Sequence, residues 1–98
     1  MKPLILHCEA NVELTATAKY YQCRSNELAH DFLAAVRSAQ LAVQRGPERF
    51  PLLSSPVRAR RIAGFPCRLV YEELPDCIHV LTLMHDSREP NYWKNRLS

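Results

Sequence analysis

Apolar positions along the 98-residue chain change their period several times, and each change marks an element. Leu4 to Cys8 is a short apolar run behind Pro3, which predicts a strand that begins abruptly. From Glu9 the period turns helical. Ala10, Leu14, Ala18 and Tyr21 recur at spacings of four, four and three, with Glu9, Glu13 and Lys19 off that stripe. Glu9 and Glu13 near its start complement the helix dipole. Cys23-Arg24-Ser25-Asn26 breaks the pattern, and Ser25 or Asn26 can cap a second helix. Leu28, Phe32, Ala35, Val36, Ala39, Ala42 and Val43 share one face of that helix, opposite Asp31, Arg37, Ser38 and Gln44. Gly46-Pro47 stops it, so two helices with a short polar connection form an antiparallel hairpin.

Between Gly46 and Val57 lie Pro47, Pro51 and Pro56, which predict a stiffened surface loop with Phe50 and Leu52 tacked onto the core. Three strand-like runs follow. Arg58 to Gly64 alternates charged and smaller residues. Cys67 to Leu74 carries Leu69, Val70 and Tyr71 and ends at the Pro75-Asp76 turn. Cys77 to His85 is apolar on both alternating faces apart from its histidines, which predicts a central strand covered on both sides. Pro90 stands near the start of a short C-terminal helix or extension. The predicted order is β-α-α-β-β-β. It gives an α+β class with the helix pair packed on one face of a mainly antiparallel sheet, all within one domain spanning 1–98.

Composition narrows this picture in three ways. The chain is 47% hydrophobic and 23% charged with only two glycines, which excludes a disordered tail or a low-complexity segment. No apolar run reaches the roughly 18 residues of a membrane span, and the apolar stretch at the N-terminus is too short for a signal peptide, so a soluble cytoplasmic protein is expected. Cys8, Cys23, Cys67 and Cys77 form no C-x-x-C pair and no zinc-type spacing with the histidines. Free buried thiols are expected, with no metal and no cofactor. The net charge is only +3, yet ten of the thirteen basic residues are arginines, and five of those fall between Arg45 and Arg61 against a single acid, Glu48. Arginine's planar fork suits carboxylate or phosphate.

With the elements laid out, several local motifs combine in order. They are Ala10-x-x-Glu13-Leu14 with Tyr20-Tyr21, Phe32 with Pro47 and Phe50-Pro51, and Arg61-x-x-x-Phe65-Pro66-x-x-x-x-Tyr71. Ile78-x-Val80-Leu81 and His85-x-x-Arg88-x-Pro90-x-Tyr92-Trp93-x-x-Arg96 complete the set. Together they resemble the RelE/ParE superfamily of type II toxin–antitoxin toxins, in its ParE-like branch often labelled plasmid stabilisation proteins. The resemblance runs over essentially the whole chain and at the family's length. It implies a two-layer fold and a cognate antitoxin that wraps and neutralises the toxin. It also implies that contact with DNA comes only through that antitoxin. It leaves the target open, since RelE-like members cleave mRNA on the ribosome whereas ParE-like members inhibit DNA gyrase.

A metal-independent ribonuclease needs a base, cationic clamps for the phosphoryl group and an acid. Arg68-Leu69-Val70-Tyr71 matches the RelE strand motif residue for residue, Tyr92 is a counterpart of the family's C-terminal tyrosine, and His85 offers an imidazole, a side-chain type suited to acid–base chemistry. Arg68, His85, Arg88 and Tyr92 are therefore the candidate catalytic set if the chain is an enzyme. Asp86, however, stands where RelE places a second catalytic arginine, and no glutamate takes the place of a base found in a RelE relative. The leading expectation is accordingly a toxin that acts by binding a target such as gyrase, without chemistry of its own. An mRNA endoribonuclease and an inactive antitoxin-binding relic are the alternatives. Arg58, Arg60, Arg61, Arg68, Arg88, Tyr92 and Trp93 are the candidate antitoxin- or target-binding residues. Plainer roles compete with these. Phe65 and Tyr71 suit the core, His79 a partly wet strand surface, and the arginine run an edge strand guarded against aggregation. His85 and Arg88 could anchor the C-terminal segment, with Trp93 as its lid.

Overall fold

The computed structural model describes residues 1–98. Strand β1 (Leu4–Leu6) leads into helices α1 (Cys8–Gln22) and α2 (Asn26–Arg45), and strands β2 (Leu52–Ser54), β3 (Val57–Arg61), β4 (Cys67–Glu73) and β5 (Ile78–His85) follow. The five strands form one sheet in the order β1-β5-β4-β3-β2. Pairing is antiparallel throughout except for β1, which lies parallel to β5 because the helix hairpin carries the chain across between them. No helix is long and apolar enough to cross a membrane.

Local chemistry accounts for the helix boundaries. His7 accepts the Glu9 amide at its ring nitrogen and caps α1, so β1 ends at Leu6 and not at Cys8. Ser25 caps α2 by accepting the Leu28 amide at 2.9 Å, and Glu27 sits in the favourable first turn. The α2 stripe buries Phe32, Val36, Ala39 and Val43 against Leu69, Tyr71, Ile78 and Val80 of the sheet. Tyr21, Phe32 and Phe65 meet with ring centroids 5.1–5.2 Å apart and lock the hairpin to the β3–β4 turn. Gly64 makes that turn possible with φ +84, followed by Phe65-Pro66.

The sheet's other face carries a second apolar cluster of Val57, Ala59, Val70, Leu81, Met84 and Trp93, roofed by the C-terminal segment. That segment, expected as a short helix or an extension, is irregular but for a single 3-10 turn, Lys94–Arg96, near its end. The interior strand β5 is thus covered on both faces as its composition predicts, although the middle position of the sheet belongs to β4.

Four expectations are corrected. The proline-rich loop contains β2, and Leu52 in it is exposed beside Arg58, because β2 is the edge strand of the sheet, while Phe50 just before it joins the helix-side core. With β2 paired to Val57 and Arg58, the first half of β3 is not an edge strand, whereas Arg60 and Arg61 run on past the start of β2. All four cysteines are free, but only Cys67 is buried. Cys8 and Cys23 lie exposed at the two ends of α1, where its buried stripe has run out, and Cys77 is half-buried in the β4–β5 turn. Glu13 is not on a solvent face of α1; its side chain is about one-fifth exposed and points at β5.

Candidate functional site

Strand alternation divides the candidate residues between two faces. Arg58 and Arg60 pair with Tyr71 and Leu69, which belong to the helix-side core, whereas Arg61 pairs with Arg68 on the opposite face. Arg58 is committed locally, donating to the Phe50 carbonyl at 2.7 Å. Arg60 lies over the Phe50 ring at 5.3 Å and also donates to the Arg61 carbonyl. A hollow of about 390 Å³ opens where β3 runs past the start of β2, lined by Phe50 to Leu53 and by Arg60, Arg61 and Arg68.

Arg68 also borders a second hollow of about 210 Å³, with Leu53, Met84, Asp86, Arg88, Pro90, Asn91 and Trp93. Leu53 and Arg68 border both hollows, so the two adjoin: the smaller lies on the outer face of the sheet, and the larger reaches from there round the β2–β3 edge to Phe50 and Arg60. Within it Arg61 is not free. It grips Asp86 through both guanidinium Nη atoms, at 3.0 and 3.4 Å, and this hydrogen bond holds the Asp86 carboxyl below the usual aspartate range. Arg68 and Arg88 have no carboxylate partner; Arg88 stacks on the Tyr92 ring at 3.9 Å.

His85 is elsewhere. It pairs with Cys67, a helix-side residue, and lines a groove against α1 with Tyr20, Tyr21 and Arg24. Its Nδ1 accepts the Ser87 amide at 3.1 Å. Arg68, Arg88 and Tyr92 thus gather on one side of the sheet, and the fourth member of the conceivable catalytic set stands on the other. Tyr92 is half-buried with its hydroxyl 2.6 Å from the Thr82 hydroxyl, and burial raises its phenol. Trp93 is buried in the outer-face core, and its indole N–H meets no acceptor.

The C-terminal anchor differs from the expected one. His85 and Arg88 do not carry it; Arg96 does. Its guanidinium donates to Glu13 and to the Leu81 carbonyl, each at 3.0 Å, and lies 3.3 Å from Glu9. Glu13 in turn accepts from the Thr82 hydroxyl at 2.7 Å and the Leu83 amide at 3.3 Å. Burial works against the Arg96 charge, but Glu13 and Glu9 outweigh it, so the cation is held more firmly than in water. At the other end of the tail the nearly buried Glu72 takes the Ser98 amide at 3.0 Å and His79 at 2.8 Å. Alternation patterns gave no sign of these two carboxylates as anchors. The spacing of Glu13 off its stripe was the one available signal, and it pointed outward.

No group of three or more histidine, cysteine or acidic side chains is arranged to hold a metal ion. Over residues 4–90 the chain matches the family model described as the ParE toxin of the type II toxin–antitoxin system, parDE. Among solved structures it is similar to one titled "Chromosomal ParDE TA system from P. aeruginosa", with a TM-score of 0.74 at 17% identity. The similarity covers 87% of this chain and 96% of the other, and at that identity it bears on the fold. No curated protein sequence matches the chain.

Proposed function

The chain belongs to the ParE toxin family of type II toxin–antitoxin systems, and from that premise we propose that it inhibits growth by binding an essential target such as DNA gyrase and is neutralised by a cognate antitoxin. In this reading residues 1–98 act as one toxin domain, in the cytoplasm. The observation that carries it is the division of the candidate catalytic residues. A ribonuclease must bring base, clamp and acid to a single phosphate. Here His85 faces α1 while Arg68, Arg88 and Tyr92 lie across the sheet, and Asp86 neutralises Arg61 beside them. The two adjoining hollows suit an acidic and apolar segment of a partner, with Arg68 and Arg88 supplying cations on the outer face, Arg60 a third at the β2–β3 edge, and Leu53 and Pro51 apolar contact.

Induced expression tests this directly. Loss of gyrase supercoiling by the purified chain, with DNA-damage signalling preceding any arrest of translation, is the expected result. Unchanged supercoiling together with mRNA cut on ribosomes overturns it. One observation favours the ribonuclease as a second reading: Arg68, within its Arg-Leu-Val-Tyr strand, shares a hollow with Arg88. That reading requires Arg68→Ala and Tyr92→Phe each to abolish toxicity in a folded protein, and retained toxicity in both removes it.

A further inference from the structure

We propose that the smaller outer-face hollow is a carboxylate-binding subsite, in which the Trp93 indole N–H and the Arg68 and Arg88 guanidinium groups receive one acidic side chain of a partner polypeptide. The proposal rests on the preceding reading of this face as a partner-binding surface and names the chemistry by which it recognises.

Two unmade hydrogen bonds point to the ligand. Trp93 is 1% exposed, it lines the hollow, and its Nε1–H has no acceptor in the protein. A buried indole N–H ordinarily finds a partner, since a donor stripped of water and left unmade is costly. The Nε–H of Arg68, which lines the same hollow, is also buried and also unpartnered. Arg88 completes the trio as a cation with no carboxylate partner, steadied over the Tyr92 ring. All three groups only donate, so the missing component is an acceptor, and with two cations present it is an anionic one.

The surroundings distinguish a carboxylate from a phosphate. Leu53, Met84 and Pro90 give the hollow apolar walls that fit an aliphatic stem. Its volume of about 210 Å³ suits one side chain. Asp86 stands on its border, its charge already engaged by Arg61, and what repulsion remains weighs more against a polyanionic backbone than against a single carboxylate.

Trp93 is the chain's one tryptophan, so its indole N–H gives a single resonance in ¹⁵N-labelled protein. The probes are N-acetylglutamate α-amide, its glutamine counterpart and inorganic phosphate. The glutamate probe is expected to move the indole and the Arg68 Nε–H resonances together and saturably, and the glutamine probe to leave both in place. Arg68→Gln and Arg88→Gln should each weaken the response about tenfold, as loss of a charge-assisted bond implies. Trp93→Phe keeps the core filled and should weaken the glutamate response read at Arg68. An unmoved indole resonance, an equal response to the glutamine probe, or a stronger response to phosphate overturns the subsite. None of those outcomes bears on growth inhibition or its relief by co-expressed antitoxin. Absence of those two effects, with the titration as expected, would sink the toxin reading alone.

Discussion

Tyr71 places a phenol in the helix-side core, 1% exposed, and satisfies it by donating to the Pro47 carbonyl. One hydrogen bond thereby ties the loop after α2 to the middle strand of the sheet. Burial pushes the phenol up to about 12. Because the folded value is raised, this contribution to stability is whole below the ordinary tyrosine value of about 10 and is lost as pH climbs toward the folded one. Tyr71→Phe should cost about 1–2 kcal/mol at neutral pH, since the Pro47 carbonyl loses its donor. It should also lose stability less steeply between those two pH values, although Tyr21 and Tyr92, likewise raised by burial, keep part of the slope. Denaturant titrations across that range check both effects. Tyr71 as a core aromatic was legible from its strand pattern, but its acceptor, 24 residues away, was not. Asp86 presents the same contrast. In sequence it is an acid where a second catalytic cation was needed, and in the fold it is the counter-charge that occupies Arg61.

Strand β5 shows how an element can be completed by something other than a neighbouring strand. Beside it β1 is only three residues long, and its parallel pairing ends at Val80. Past that point β5 would present a bare edge, an unpaired row that invites other strands. Glu13 accepts the Leu83 amide there and Arg96 donates to the Leu81 carbonyl, so an ion pair from a helix and a tail replaces the missing rungs. Removing one member of such a pair leaves the other's charge poorly compensated. Glu13→Gln should therefore destabilise the protein by about 2–3 kcal/mol and speed hydrogen exchange at Leu83 more than at other β5 amides. Uniform exchange along β5 with unchanged stability would refute that account. Of the elements, α2 was the most legible, because seven of its positions share a face that one layer of sheet can bury. β2 was missed, since three residues among prolines and exposed leucines carry no alternation to detect. Glu13 was misplaced for a related reason: helical period says which side of α1 is apolar, but not that β1 stops short and leaves backbone groups to satisfy.

At the scale of the whole molecule the sheet has two cores and two covers. The helix hairpin is one cover, and the C-terminal strap with Trp93 and Arg96 is the other. Ending the chain at Pro90 should expose Val57, Ala59, Val70, Leu81 and Met84 together. The expected result is a stability loss of at least about 3 kcal/mol, the scale of emptying one tryptophan site, with strong binding of a hydrophobic dye; an unchanged melting temperature and no dye response would show that the strap is dispensable. Helix stripes, turn residues and alternating strands determined, by themselves, the order of the main elements, the α+β layering and the resemblance that the ParE toxin family match bears out. Those signals repeat every two or three to four residues, so a linear chain displays them in full. Only the tertiary structure decided which arginines are free, that His85 and Arg68 face apart, and that Glu13, Glu72 and Arg96 fasten the tail. Each of those outcomes depends on groups far apart in the chain, brought together by a sheet register that no local period encodes.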